Sequence, residues 1–322
     1  MISIFQQSVW NNSTSFDGLQ DTVLASCFDR ARLIGIGEVP HHVQVYYDIV
    51  EDVLERALSQ GNAVLLLLER EFWFARFLES FLEGQTEEWV SLTTDNPEDG
   101  KTYGKRFMGF CDTLRRLAHC YPAKLRCSGI DLFLHGFLEK KTAFVRSISP
   151  EKFAQSQVIL GHYHAEECDR FALEREQFLF DEAVRAIEQH APDKIILFAG
   201  SSHCSKADGA PFGKTAITPL FARLMNVAGG TACNAQLFPL HGTFGTMKKN
   251  DGQLTLASAR CDDLFKEGPK RAIRDALRTF EGSRFLTRLS ELEIGEESSP
   301  EYQEIKEGYE FLVSFAQVTA DE

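Results

Sequence analysis

Two apolar runs of strand length flank one amphipathic helix near the start of the chain, and this arrangement constrains the fold more than any other feature. Residues 31–37 (ARLIGIG) read as a first buried strand. A helix follows with Tyr46, Val50, Val53, Leu54, Ala57 and Leu58 on one face, and Gly61 is a natural stop. Residues 63–68 (AVLLLL) form a continuous apolar run, as expected of a parallel strand covered on both faces. Strand, helix and strand within about 40 residues make a βαβ unit.

The same alternation continues. A Phe-rich helix is predicted over 70–83, a loop around 96–100, a helix over 105–119 and a third strand over 124–131. A long helical pattern spans 166–190. Ala191-Pro192-Asp193 ends it and leads into a fourth strand at 194–200. A helix over 217–225 and strands at 235–240 and 253–257 follow, and beyond about 268 the pattern reads as helical to the end. Alternating strands and helices predict an α/β layered fold. The crowding of Phe72, Trp73, Phe74, Phe77 and Phe81 could wall a ligand cleft, but aromatics at this spacing more often form the core face of a helix.

The formal net charge is −13, which excludes a bulk electrostatic grip on nucleic acid or anionic lipid. Much of that acidity is local, because residues 281–322 hold 11 acidic side chains against 3 basic ones. Tyr302, Ile305, Tyr309 and Leu312 form an apolar stripe at helical spacing there, expected to dock on the body of the protein. No apolar run reaches the roughly 18 residues of a membrane span. The N-terminal residues lack the basic start and apolar stretch of a secretory signal. The eight cysteines include no C-x-x-C pair and are expected to be mostly buried, reduced thiols.

Polar residues cluster where strands end. Glu38 directly follows the first strand, with His41 three residues on; Glu69 directly follows the second, and His203 follows the fourth. In open α/β sheets the loops at the carboxyl ends of parallel strands share one rim, where ligands bind. Two carboxylates and two imidazoles supply a base for water, an acid for a leaving group and partners to orient both. The same four could instead ligate a divalent metal. Taken singly, each has a structural use: a carboxylate can cap the next helix, and a lone histidine is more often structural than catalytic.

Other motifs carry less. His162-Tyr163-His164, followed by Glu166 and Glu167, has an H-x-H spacing but reads as the solvated start of a helix. Ser201, Ser202 and Cys204 lie beside His203 without the G-x-S-x-G turn of a nucleophile elbow. There is no Walker loop, no G-x-G-x-x-G and no H-E-x-x-H.

Gly37-Glu38-Val39-Pro40-His41 resembles the G-E-x-x-H motif of the superfamily that joins erythromycin esterases, ChaN-like haem-binding proteins and Tiki-type proteases. The esterase branch matches more of the chain. Glu69 at the second strand end, Gly129-Ile130-Asp131, Arg175-Glu176-Gln177-Phe178 and the run from Ile195 to His203 resemble its further motifs in order. The resemblance implies an α/β fold with a mixed, largely parallel central sheet and helices on both faces. The α/β domain would span 1–265, with a C-terminal helical segment, 266–322, packed on it. It also implies hydrolysis of an ester, lactone or related bond by activated water, with no covalent nucleophile. His41 would be the general base, oriented by Glu38 or Glu69, while His203 would polarise the carbonyl or protonate the leaving alkoxide. Asp131, Arg175 and His42 would bind substrate. In the Tiki-type branch similar positions hold a divalent metal, which here would be Glu38, His41 and His203.

The chain also departs from the esterases. His42-Val43-Gln44 stands where they continue with Gly and often an Arg, and the stretch between Asp131 and Arg175 is too short for their helical lid. These departures argue against a macrolide substrate. Two further readings follow from the resemblance: a ChaN-like haem-binding module without catalysis, and a host-directed bacterial effector with a repurposed site and a host protein as partner. The expected location is the cytoplasm, or a host cell reached by a signal-peptide-independent route.

Overall fold

The computed structural model describes residues 4–19, 22–41, 43–82, 105–133, 139–207, 210–212, 215–250, 253–261, 268–277, 283–292 and 300–318. The loop expected at 96–100 and His42 lie outside the described residues. The chain opens with α1 (Ile4–Asn11), a short strand β1 (Ser13–Ser15) and α2 (Val23–Arg30), none of which the sequence pattern singled out. Thr22 caps α2, its hydroxyl accepting from the Ala25 amide at 3.2 Å. The far end of α2 is held by the buried Lys194, whose ammonium donates to the carbonyls of Phe28, Asp29 and Ala31 at 3.0, 2.8 and 2.7 Å. A cation on the last carbonyls of a helix satisfies acceptors that have no intrahelical donor.

The predicted βαβ unit follows as β2 (Leu33–Glu38), α3 (Gln44–Ser59) and β3 (Val64–Glu71). Both faces of β2 and β3 are buried over their apolar stretches, as a parallel strand under helices on both sides requires. Next come α4 (Phe74–Leu82), α5 (Lys105–Cys120) and β4 (Leu125–Asp131), then three helices, α6 (Glu139–Ile148), α7 (Pro150–His164) and α8 (Cys168–His190). Trp73 and Phe74 are core residues and Phe72 is buried with them, so this part of the aromatic run packs the interior.

The chain continues through β5 (Lys194–Gly200), a one-turn helix α9 (Ser201–Cys204), the small hairpin β6 (Ala210–Phe212) and β7 (Thr215–Ile217), and α10 (Leu220–Ala228). Then come β8 (Ala232–Pro239), a hairpin of β9 (Thr243–Asn250) and β10 (Gln253–Arg260), α11 (Gly268–Leu277), β11 (Arg284–Arg288), α12 (Pro300–Gly308) and β12 (Phe311–Phe315).

Eight strands form the main sheet in the order β1-β11-β12-β8-β2-β5-β3-β4. Every pairing from β12 to β4 is parallel, while β11 runs antiparallel to both its neighbours. The sheet is mixed and largely parallel, as expected.

The C-terminal part differs from the helical reading. It carries α11 and α12, but β11 and β12 extend the central sheet, with β12 parallel to β8. The helical stripe is correspondingly broken. Tyr302 and Ile305 lie on α12, Tyr309 follows the helix end, and Leu312 belongs to a strand buried on both faces. The run FLVSF is the kind of short apolar segment whose periodicity does not separate strand from helix.

Among the described residues no helix is long and apolar enough to cross a membrane. All eight cysteines are free thiols, and five are buried.

Candidate functional site

The strand order brings β2, β5, β3 and β4 side by side, so their carboxyl ends carry Glu38, the His203 turn, Glu69 and Asp131 to one rim. At the end of β3 the register slips. Leu68 pairs with Gly129 and Glu71 with Asp131, leaving Glu69 and Arg70 opposite Ile130 alone. Such a bulge re-aims side chains at a strand end.

Five ionisable groups, three of them buried and two partly so, form a continuous chain beneath this rim. Arg175, reaching in from α8, donates through Nε and Nη2 to the two Asp131 oxygens at 2.9 and 2.6 Å. The same Nη2 donates to Glu69 Oε1 at 2.7 Å. Glu69 Oε2 accepts the Gly200 amide at 2.6 Å. His203 lies with Nε2 3.4 Å from Glu69 Oε1 and Nδ1 2.6 Å from Glu176 Oε2. Glu176 Oε1 in turn accepts the Leu220 amide at the start of α10, at 2.5 Å.

The electrostatics follow from these contacts. Burial opposes a charged His203 ring, but Glu69 and Glu176 on either side outweigh it and raise its pKa to about 10. His203 is therefore an imidazolium at neutral pH. Burial also opposes the Glu69 charge, yet His203 and Arg175 hold that carboxyl well below the usual range. Burial disfavours the Arg175 cation too, and Asp131 with Glu69 reverses this and raises its pKa. Arg175 Nη1 and His203 Nε2 stand 3.4 Å apart. With His203 protonated both are donors, so they cannot bond to each other.

His41 stands apart from this chain in one respect: its side chain is 51% exposed, against 3% for His203. Its Nδ1 is 2.8 Å from Glu38 Oε1. Its ring lies over Gly200, where a Cβ would stand 2.8 Å from His41 Cε1 and 3.1 Å from Glu69 Oε2. Only a glycine lets the imidazole and the Glu69 carboxylate approach the strand end together. Packing around the inner edge of the His41 ring works against its charge, but Glu38 and, further off, Glu69 raise its pKa above the ordinary value. The turn between Glu38 and His41 is pinned by Tyr46, whose hydroxyl donates to the Val39 carbonyl at 2.6 Å.

Glu38, His41, Glu69, Asp131, Arg175 and His203 thus share one rim, and Glu176, quoted in the sequence only as part of a motif, proves to be the closest partner of His203. The signal for it was its place beside Arg175 on a helix that faces the sheet.

Among the described residues no group of three or more His, Cys, Asp or Glu side chains is arranged to hold a metal ion. Glu38, His41 and His203 do not fit as a ligand set, because both nitrogens of the cationic His203 face carboxylates and the Arg175 guanidinium lies beside it. Cys204 is buried and burial pushes its thiol pKa up, which makes it a poor nucleophile. His162 lies near the end of α7, not at the expected helix start, 2.8 Å from Glu167 and 3.4 Å from Glu174.

Chains of this fold are known. A histidine-to-asparagine mutant of the erythromycin esterase EreC, in its open conformation, superposes with a TM-score of 0.67 at 12% identity, over 98% of this chain and 97% of that one. A succinoglycan biosynthesis protein gives 0.67 at 12% identity, over 99% and 97% of the two chains. A Bacillus cereus protein gives 0.63 at 11% identity, over 98% of each. The chain shares the fold of these proteins. No protein-family model matches the sequence. No curated protein matches it.

Proposed function

We propose that this protein hydrolyses an ester, lactone or related bond in a small molecule by activating water at the Glu38–His41 pair. The observation that carries this reading is the contrast between the two histidines. One is locked between carboxylates as a buried cation; the other sits half-exposed at the rim with a carboxylate on Nδ1.

Glu38 accepts a hydrogen bond from the Nδ1–H of neutral His41 and so fixes the tautomer that leaves the lone pair on Nε2. His41 Nε2 takes a proton from water as the oxygen attacks the substrate carbonyl. The negative charge that develops on the carbonyl oxygen is met by Arg175 Nη1 and His203 Nε2, two N–H groups 3.4 Å apart. Asp131 and Glu69 hold Arg175 in place for this contact with the substrate. Collapse of the tetrahedral intermediate breaks the bond to the leaving alkoxide, which takes the proton from His41. No bond to the protein forms at any stage. The similarity of fold to EreC supports the esterase class, and nothing in the site argues for a macrolide.

The test uses p-nitrophenyl esters and simple lactones in 18O-labelled water. The expected result is turnover without a burst of nitrophenol, with one labelled oxygen in the acid product. An acyl-enzyme burst, or no turnover of any ester or lactone, contradicts the proposal.

A further inference from the structure

The groups that hold the His203 turn come from the far end of the chain. Tyr309 is buried just beyond α12, and its hydroxyl donates to the carbonyl of Ser201, the first residue of the turn. The same oxygen lies against β2. A Cβ on Gly37 would stand 2.7 Å from Tyr309 Oη, 3.0 Å from Ser201 Cα and 3.1 Å from Cys204 Cβ. Tyr309 is thus wedged between the residue before Glu38 and the turn that carries His203.

Buried Asn234 on β8 makes a second tie. Its Nδ2 donates to the carbonyls of Cys204 and Gly308, both at 2.8 Å, and its Oδ1 accepts the Glu310 amide at 3.1 Å. The Lys206 amide donates to the Gly308 carbonyl at 2.9 Å. Backbone groups on both sides of this junction are buried and paired, so neither side can shift without leaving polar atoms unsatisfied.

We infer that Tyr309 is a positioning residue for the proposed hydrolysis, tying the carboxyl ends of β2 and β5 so that Glu38 and His203 keep their spacing, and that the site is complete only with residues 308–310 docked. The inference rests on the hydrolase reading for its kinetic consequence alone. A one-turn helix has few bonds of its own, and Tyr309 fixes its first carbonyl while Glu176 fixes the ring two residues on. A small displacement of such a group costs rate more than it costs binding.

The test is Tyr309→Phe, which keeps the ring and removes only the hydroxyl. The expected outcome is a cooperative fold, a kcat on p-nitrophenyl esters lower by about tenfold with KM within about twofold, and an upfield shift of the low-field His203 Nδ1 proton in 15N-histidine-labelled protein. An unchanged kcat together with an unchanged resonance overturns the inference. The resonance is read without substrate, so failure of the hydrolase reading, seen as no ester turnover by the wild type, is distinct from failure of the tie. If the variant does not fold, amide exchange of the wild-type chain decides. Lys206 and Glu310 are expected to exchange through one shared opening, and separate openings contradict the inference.

Discussion

His203 and Glu176 meet Nδ1 to Oε2 at 2.6 Å, the shorter of the two carboxylate contacts made by this ring. With Glu69 on the other nitrogen, His203 is held as a cation that cannot serve as a base near neutral pH. In the proposed hydrolysis, base chemistry therefore falls to His41, which is half-exposed with Glu38 on Nδ1. Two histidines that look alike in the sequence differ in burial and in the carboxylates around them.

The first consequence concerns stability. The His203 pKa lies above its unfolded value, so its contribution is fully present below about pH 6.5 and lost as pH rises toward about 10. The Glu69 pKa lies below its unfolded value, so its contribution is lost as pH falls below about 4.5. Thermal midpoints are expected to hold a plateau between these limits and fall on both sides. His203→Gln is expected to flatten the alkaline fall, and an alkaline fall that persists unchanged in that variant contradicts the assignment.

Arg175 is the cation of a buried network and touches two carboxylates. Arg175→Gln leaves Asp131 without its charge partner and Glu69 with His203 alone, and is expected to destabilise the fold by about 3–5 kcal/mol, the cost of breaking a buried ion pair from one side. Urea unfolding measures it. A loss below about 1 kcal/mol would place Arg175 among solvent-screened surface pairs.

Gly200→Ala tests how closely His41 must approach the strand end. The added methyl would stand 2.8 Å from His41 Cε1, so the ring must swing outward. The fold is expected to survive, while kcat on a responsive ester drops by about 100-fold. Wild-type kcat in this variant would show that the ring position over Gly200 is irrelevant to turnover.

In the proposed mechanism Glu38 sets the pH range of the base. Because Glu38 raises the His41 pKa, the acid limb of kcat/KM is expected above pH 6.5. Glu38→Gln removes the charge and is expected to move that limb to lower pH while reducing the rate. A limb that stays in place after the substitution means that the titrating group is not His41.

Much of this was legible in the sequence for physical reasons. Strands buried on both faces are continuous apolar runs, and the polar residues that follow each run mark its rim end; Glu38, Glu69 and His203 were visible in this way. The C-terminal strands were not, because Tyr302, Ile305, Tyr309 and Leu312 mimic a helical period across the end of α12 at Gly308. The acidic C-terminal part consequently looked like an appendage, whereas Tyr309 reaches the His203 turn directly and the Glu310 amide reaches it through Asn234. Glu176 was hidden by its position: a carboxylate inside a long amphipathic helix shows its partner only once the helix is laid against the sheet. The separate charge states of His41 and His203 depend on contacts spread over the whole chain, and no local pattern encodes them.

The most direct test of the central claim is His41→Ala. This side chain is half-exposed and its partner Glu38 can be rehydrated, so the melting temperature is expected to stay within a few degrees of wild type. The rate of ester hydrolysis is expected to fall by at least about 100-fold, the contribution of a positioned general base. A folded His41→Ala protein that hydrolyses the same ester at the wild-type rate would contradict the account.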